Sequence, residues 1–175
     1  MKKMMMTLVA IAMATTMNAQ VYVGGGLGFT VKSYDGESTT TWSILPEIGY
    51  NINDKWAVGT VIGYGESGKD DHKTKRFEVS PYVRYTAVKL NQVNVFLDGG
   101  VGYAHNDVMG AKSNEFSVGI KPGVAVNLND KLSFVTHFGF LGYQYEKADG
   151  ADKGQNTFGF NLNGNSLTFG LYYNF

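Results

Sequence analysis

The sequence predicts an all-β fold, an eight-stranded antiparallel up-and-down β-barrel that spans a membrane. Three observations lead to this prediction. Apolar and polar residues alternate along most of the chain, as expected of strands with two different faces. The polar face is rich in glycine and short hydroxyl side chains and poor in charge. Aromatic residues recur eight positions apart on the apolar face of three strands.

The composition argues against a nucleic-acid-binding protein and excludes cysteine chemistry. The chain carries 15 basic and 15 acidic residues, so it lacks the basic excess of a nucleic-acid-binding protein. It contains no cysteine, which excludes disulfides, thiolate metal sites and cysteine nucleophiles. Charged residues make up 17% of the chain, compared with about 25% in ordinary soluble domains. Because basic and acidic residues balance, we expect no nucleic-acid partner.

Residues 1–19 are predicted to form a secretory signal peptide. Lys2 and Lys3 precede an apolar run over 4–14, and small polar residues follow. A helix of this length spans roughly 16 Å, which is too short for a bilayer core of about 30 Å. A buried N-terminal helix is the alternative interpretation. Cleavage is expected after Ala14 or Ala19, and Ala19 is preferred because a strand pattern starts directly after it.

The barrel domain is predicted to cover residues 20–175. Alternation is clearest over 77–85 and 166–175, where every second residue is apolar. A phase slip in the last strand predicts a bulge at Asn163–Gly164. The eight predicted strands cover residues 20–31, 41–51, 55–65, 76–88, 93–104, 114–126, 131–145 and 157–175.

The connections are predicted to alternate between short turns and long polar loops, which makes neighbouring strands antiparallel. Asn and Asp favour the short turns because they tolerate left-handed backbone and bond their own turns. The short turns are 51–55, 89–92 and 127–131. The predicted long loops are 32–40, 66–75, 105–113 and 146–156.

Three prolines conflict with this prediction. Pro46, Pro81 and Pro122 each lie a few residues before a short turn, inside a predicted strand. Proline lacks a ladder donor and is avoided in central strands. Their equivalent positions suggest a tolerated bulge or a position satisfied by water.

The character of the polar face decides between two kinds of barrel. A soluble lipocalin-like barrel turns its polar face to water, where Lys and Glu are normally abundant. Here that face holds few charges, and most charges lie in turns and loops. Residues eight apart are separated by roughly 20 Å along a tilted barrel, close to the apolar band between aromatic girdles. The membrane barrel is therefore preferred. The aromatic pairs are Trp42 and Tyr50, Trp56 and Tyr64, and Phe77 and Tyr85.

Charged residues in the polar phase predict a luminal network that plugs the barrel. Charges in a narrow lumen must pair to offset their desolvation. Arg84 is the expected hub because a guanidinium bridges two carboxylates, and His137 is expected nearby. The alternative is that these groups lie at different heights, each solvated near a mouth. The predicted network comprises Glu47, Glu78, Arg84, Asp98 and Lys121.

The mature chain resembles the small eight-stranded outer-membrane β-barrels of Gram-negative bacteria, the OmpA/OmpX-type porin-like family. Its last strand resembles the signal read by the barrel assembly machinery, with apolar residues in phase at Phe169, Leu171, Tyr173 and Phe175. The resemblance implies location in the cell outer membrane, with outer-membrane lipid and lipopolysaccharide as surroundings. It also implies short turns and both termini in the periplasm, and long loops outside.

No catalytic, cofactor or metal site is predicted. His72 and His105 lie in predicted loops without metal-ligand spacing, and His137 lacks the Ser two residues on that lipid A deacylases carry. The glycine run at 24–28 lies inside a strand and lacks a following lysine and helix. Close packing in a narrow barrel explains it better than phosphate binding.

Three functional classes follow from the resemblance. The preferred one is a non-enzymatic structural or surface-interaction barrel, adhesion-like, whose loops meet an extracellular ligand. The second is a small low-conductance porin-like channel, although eight strands leave an interior just wide enough for side chains. The third is a lipid A-modifying outer-membrane enzyme.

Overall fold

The computed structural model of the protein describes residues 20–34, 37–69, 72–108, 110–161 and 168–175. The predicted signal peptide and the bulge at Asn163–Gly164 lie outside these ranges. None of the described segments is a helix with the length and apolar character needed to cross a membrane. The strands are β1 (Val21–Tyr34), β2 (Glu37–Asn51), β3 (Trp56–Lys69), β4 (His72–Leu90), β5 (Val93–Val108), β6 (Ala111–Asn127), β7 (Leu132–His137), β8 (Phe140–Ala148), β9 (Gln155–Asn161) and β10 (Thr168–Asn174).

These strands close into an eight-stranded antiparallel barrel. The ladder runs β5–β4–β3–β2–β1–β10–β7–β6, and β6 pairs again with β5 to close the ring. The seventh predicted strand is interrupted at Phe138–Gly139, so that β7 and β8 both pair with β6. β10 falls within the eighth predicted strand, and β9 overlaps its start but begins two residues earlier, at Gln155. The predicted fold class is confirmed.

Short turns at one end of the barrel are built by asparagine side chains. The Asn53 carboxamide oxygen accepts from the backbone N–H groups of Lys55 and Trp56 at 2.9 and 3.0 Å. Asn129 repeats this arrangement before β7, and Asn91 has a positive φ of 45° between β4 and β5. All three predicted short turns are confirmed.

The four long loops were predicted too long, because the strands continue into them, least in the fourth, where β8 ends at Ala148 and β9 begins at Gln155. β3 and β4 remain paired up to Lys69 and His72. β5 and β6 remain paired up to Val108 and Ala111. These hairpins are polar on both faces, so they lack the apolar alternation that marks a half-buried strand. Backbone pairing needs no such alternation. His105, which was predicted to lie in a loop, therefore lies in β5.

Apolar side chains face outward and polar ones inward, as predicted. On β4, Val83 is 45% exposed, whereas the next residue, Arg84, is 8% exposed. The same alternation appears on β5, where exposed Leu97 and Val101 flank positions that point to the lumen. The outer surface is therefore apolar over the middle of the barrel, which is the arrangement of a membrane barrel.

Aromatic residues form outward rows at two levels. Trp56 and Tyr85 are directly opposed on β3 and β4, with ring centroids 4.8 Å apart. At the other level Tyr64 is opposed to Phe77 on β4 and lies 5.6 Å from Trp42 on β2. The eight-residue spacing thus separates two aromatic rows, as in the girdles of membrane barrels.

Each of the three prolines lies at an interruption of the ladder. β2 and β3 are unpaired between Ile44 and Glu47, which brackets Pro46. β4 and β5 are unpaired between Val79 and Tyr82, which brackets Pro81. Pro122 on β6 lies where its partner changes from β8 to β7. The missing N–H groups thus fall where no ladder bond is made, so proline is tolerated there.

Candidate functional site

Arg84 forms the centre of a buried cluster in the lumen. Its Nε and Nη2 donate to the two carboxylate oxygens of Asp98 at 2.7 and 2.8 Å, a bidentate pair. Nη2 also lies 3.5 Å from a carboxylate oxygen of Glu47. The three residues are only 5–8% exposed. A buried cation is thus held between two carboxylates, as a planar guanidinium allows.

Tyrosine hydroxyls complete the coordination of Glu47. Tyr172 donates to one carboxylate oxygen at 2.5 Å, and Tyr82 donates to the other. The hydroxyl groups of Tyr82 and Tyr22 lie 2.5 Å apart. Two directed donors, together with Arg84, keep this buried carboxylate from being stranded without partners.

His137 closes the cluster on the β7 side. Its Nε2 lies 2.8 Å from Asp98 Oδ2 and 3.4 Å from Arg84 Nη2. Its ring meets the Phe96 ring edge-on at 5.3 Å. The face of Phe96 lies under the guanidinium, 4.0 Å from Arg84 Cζ, which adds a cation–π contact.

Each aromatic ring of the cluster lies over a glycine of the neighbouring strand. Tyr22 is opposed to Gly49, and a Cβ built on that glycine would lie 2.1 Å from the tyrosine ring. The same close approach pairs Gly123 with Phe96, where the distance would be 2.4 Å. Glycine is required at these positions because the ring occupies the space of a side chain. Tyr82 over Gly59 and Tyr172 over Gly24 repeat the arrangement.

The cluster separates two luminal cavities. On the side of the short turns lies a cavity of about 380 Å³, which reaches Tyr22, Arg84 and Phe96. On the opposite side a chamber of about 280 Å³ reaches Glu47, Asp98 and His137. We call the eight residues between them the Arg84 cluster: Tyr22, Glu47, Tyr82, Arg84, Phe96, Asp98, His137 and Tyr172.

Two residues of the predicted network lie outside the Arg84 cluster. Glu78 pairs with Arg76 at 3.0 Å, and Arg76 also binds Glu115 at 2.9 Å. Lys121 lines the chamber between the two groups and forms no ion pair with any described residue. We call Arg76, Glu78, Asn106, Glu115 and Gln144 the Arg76 cluster. The lumen thus holds two charge clusters at different heights.

Sequence reasoning missed Arg76 and the luminal aromatic residues. Arg76 was predicted to be the first residue of a strand, next to the charged loop 66–75, and it was not counted among the luminal charges. Tyr82 and Tyr172 do occupy the polar phase of their strands, between outward residues such as Val83 and Leu171. That phase was the available signal, although aromatic residues in strands are normally assigned to the apolar face.

The Arg84 cluster lies across the lumen, and its polar groups are mostly hydrogen-bonded to one another. In the part of the chain that the structure describes, no three His, Asp or Glu side chains converge as metal ligands would. His137 is held against Asp98, and Phe96 covers it. The buried groups bond mainly to one another, which rigidifies such a network.

The predicted assembly segment forms the edge at which the barrel closes. Phe169, Leu171 and Tyr173 face outward and are 41–53% exposed. The Phe175 backbone N–H donates to the Val21 carbonyl at 3.0 Å, which ties the last residue to the first strand. Its ring meets that of Tyr173 edge-on at 5.1 Å.

Comparison with known proteins supports the same fold. No curated protein matches the chain. Among solved structures, Neisserial surface protein A (NspA) is 17% identical with a TM-score of 0.55, over 89% of this chain and 97% of that one. Ail of Yersinia pestis is 16% identical with a TM-score of 0.46, over 90% and 100%. A family model described as the outer membrane protein beta-barrel domain matches residues 4–175. The chain therefore belongs to the outer-membrane β-barrel family.

Proposed function

We propose that this protein is a non-enzymatic outer-membrane barrel that acts at the cell surface, adhesion-like, through its long hairpins. The observation that carries the proposal is the length and regular pairing of these hairpins. β3 and β4 make five further residue pairs beyond Tyr64 and Phe77, from Gly65–Arg76 to Lys69–His72. Five pairs extend roughly 17 Å along the strands. They therefore reach well beyond the aromatic row.

A second hairpin has the same reach. β5 and β6 make five residue pairs beyond Tyr103 and Phe116, from Ala104–Glu115 to Val108–Ala111. We define the outer hairpins as β1–β2, β3–β4, β5–β6 and β8–β9. Regular pairing gives these hairpins fixed shapes, so binding a partner would cost little ordering entropy. Their polar surfaces suit contact with a hydrated ligand rather than with lipid.

The two alternative functions have weaker support. A low-conductance channel needs a continuous lumen, and the Arg84 cluster lies across it. A lipid A-modifying enzyme needs its catalytic groups at the lipid-facing surface, whereas His137 points to Asp98 inside the barrel. Mass spectrometry of lipid A from cells that express the barrel should show no change.

The proposal is tested by shortening one outer hairpin. Residues 66–75 are replaced by a two-residue Asn-Gly turn, which fits the remaining strands of β3 and β4. Gln92→Gly at the opposite end of the barrel is the matched control. Both proteins are first checked for heat-modifiable migration on gels. Adherence of expressing cells to epithelial monolayers is then compared with that of vector-only cells.

We expect the full chain and the Gln92→Gly control to raise adherence several-fold. The shortened barrel should return adherence to the vector level. Equal adherence of the shortened barrel and the full chain would show that this hairpin has no such role. No gain from the full chain would count against surface interaction of this kind.

A further inference from the structure

The Arg84 guanidinium has one nitrogen for which its cluster supplies no partner. Nε and Nη2 make the bonds from the guanidinium to the two carboxylates, to His137 and to Tyr172. Nη1 carries further N–H donors and forms no hydrogen bond within the described part of the chain. Arg84 is only 8% exposed, and buried donors are nearly always hydrogen-bonded. Nη1 is therefore a buried donor that is available to a ligand.

Nη1 faces the luminal cavity on the side of the short turns. Because Nε and Nη2 both turn toward Asp98, Nη1 lies on the opposite edge of the planar guanidinium. Arg84 lines this cavity of about 380 Å³, whereas Glu47 and Asp98 line the chamber on the other side of the cluster. The Arg84 cluster thus presents its cation to one cavity and its carboxylates to the other.

Uncharged polar side chains surround the cavity that Nη1 faces. Six strands, namely β2, β4, β5, β6, β7 and β10, each place one such residue in its wall. Their carboxamide and hydroxyl groups both donate and accept hydrogen bonds. We call these six residues the polar ring: Asn51, Thr86, Asn94, Asn127, Ser133 and Asn174.

Only part of the polar ring is hydrogen-bonded within the protein. Ser133 donates to the Asn127 carboxamide oxygen at 2.9 Å and accepts from Asn174 at 3.3 Å. The carboxamides of Asn51 and Asn94, by contrast, form no hydrogen bond with any described residue. A ligand in the cavity would therefore meet free donors and acceptors on β2 and β5, in addition to Arg84 Nη1.

We propose that this cavity binds an uncharged amide, such as a short peptide, whose carbonyl oxygen accepts from Arg84 Nη1. The Arg84 cluster contains two carboxylates and one guanidinium, so a bound anion would add to an excess of negative charge. A neutral carbonyl oxygen satisfies the donor without that cost. The carboxamides of Asn51 and Asn94 then pair with the amide groups of the ligand, since each carboxamide offers a donor and an acceptor.

The remaining lining residues favour an amide over a sugar. Sugar rings stack on free aromatic faces, but the Tyr22 ring is stacked on Tyr172 at 5.4 Å, and Phe96 lies against the guanidinium. Buried Ala57 and Val135 line the same cavity and suit small apolar side chains. The short turns are expected to face the periplasm, so the ligand would enter from that side. The site is independent of the outer hairpins.

The test makes use of the fact that Arg76 and Arg84 are the two arginines of the sequence. The full chain, isotope-labelled in its arginines, is refolded in detergent micelles, and its guanidinium NMR signals are followed while N-acetylalanine methylamide is added. This probe is uncharged and has two amide groups. Arg76 belongs to the other charge cluster and is the internal reference, and an Arg76→Lys variant assigns the signals. We expect saturable shifts of the Arg84 signals and none of the Arg76 signals.

Asn94→Ala and Asn51→Ala should each weaken binding of the amide about fivefold, the effect of one neutral hydrogen bond. Gln144→Ala is the matched control, because it removes a carboxamide from the cavity beside the Arg76 cluster, and it should leave binding unchanged. Acetate and glucose are the comparison probes and should not shift the Arg84 signals. The proposal is overturned if the amide gives no saturable Arg84 shift, or if acetate or glucose binds more tightly. Full affinity in both polar-ring variants, or an equal loss in Gln144→Ala, would also overturn it.

Discussion

Arg84 shows what a single residue does in a narrow lumen. It has contacts with Asp98, Glu47, His137 and an aromatic ring, all within a site that is almost closed to water. Its polar phase on β4 made a luminal position predictable. Its partners were only partly predictable, because the height of each charge depends on strand register, which alternation does not define.

We expect Arg84→Met to lower the free energy of unfolding by about 3–5 kcal/mol, because it strands two buried carboxylates. Urea titrations in lipid vesicles measure this. Asp98→Asn should couple with Arg84→Met by about 0.5–3 kcal/mol in a double-mutant cycle. Glu78→Gln is the control and should be additive, since Glu78 belongs to the Arg76 cluster. A loss below about 1 kcal/mol for Arg84→Met, or additivity with Asp98→Asn, would exclude a cooperative network.

Outward-facing side chains such as Val83 lie in a different environment from that of Arg84. Val83 faces away from the lumen and is 45% exposed. Val83→Arg should cost roughly 2–4 kcal/mol in lipid vesicles, because it places a charge in the apolar band. Ser80→Asn, which changes a residue lining the chamber, should cost little. Similar unfolding free energies for the two variants would mean that the facing assignment is wrong.

Neighbouring strands fit together through aromatic–glycine pairs. Tyr22 on β1 and Gly49 on β2 are one such pair, and Phe96 on β5 and Gly123 on β6 are another. The glycine content of the polar face was visible in the sequence, and close packing was expected from it. The individual pairs were not predictable, because each joins residues on different strands whose register was unknown.

Gly123→Ala is expected to destabilise the barrel by about 1–3 kcal/mol, the usual cost of overpacking. The new methyl group would lie 2.4 Å from the Phe96 ring, which has little room to move. Gly99→Ala is the control, because a Cβ there has no neighbour within 4 Å. Both are measured by unfolding in lipid vesicles. An unchanged stability of Gly123→Ala would show that the ring can shift without cost.

The extent of the outer hairpins could not be predicted from sequence patterns. Apolar alternation arises only when one face of a strand is covered by lipid or by a core. Beyond the aromatic rows both faces of the hairpins are polar, so the strands there were predicted as loops. The short turns were predictable because asparagine side chains such as Asn53 and Asn129 determine the turn geometry locally.

For the whole molecule, the eight barrel strands were predictable from period-two alternation, and their antiparallel order from the connections between them. Their facing was predictable from the low charge of the polar face. Closure of the barrel follows from the pairing of β10 with β1 and of β5 with β6. The two charge clusters were not predictable as sites. Each assembles residues from three or more strands, so they depend on the closed ring itself.

The end of the chain is expected to matter for assembly more than for the finished barrel. The Phe175 ring contacts Tyr173, and one backbone hydrogen bond joins it to Val21. Deleting Phe175 should therefore lower the outer-membrane yield in cells while leaving refolding into detergent nearly intact. Quantitative gels of both preparations measure this. A normal cellular yield after deletion would argue against a role in assembly.

We expect the Arg84 cluster to seal the barrel between the two luminal cavities that flank it. Conductance in planar lipid bilayers tests it most directly, with insertion verified by heat-modifiable migration of the same protein. The inserted full chain should give no stable current steps, because buried side chains occupy the lumen at this level. Long-lived current steps whose size grows with salt concentration would mean that ions pass through the lumen and that the Arg84 cluster does not seal it.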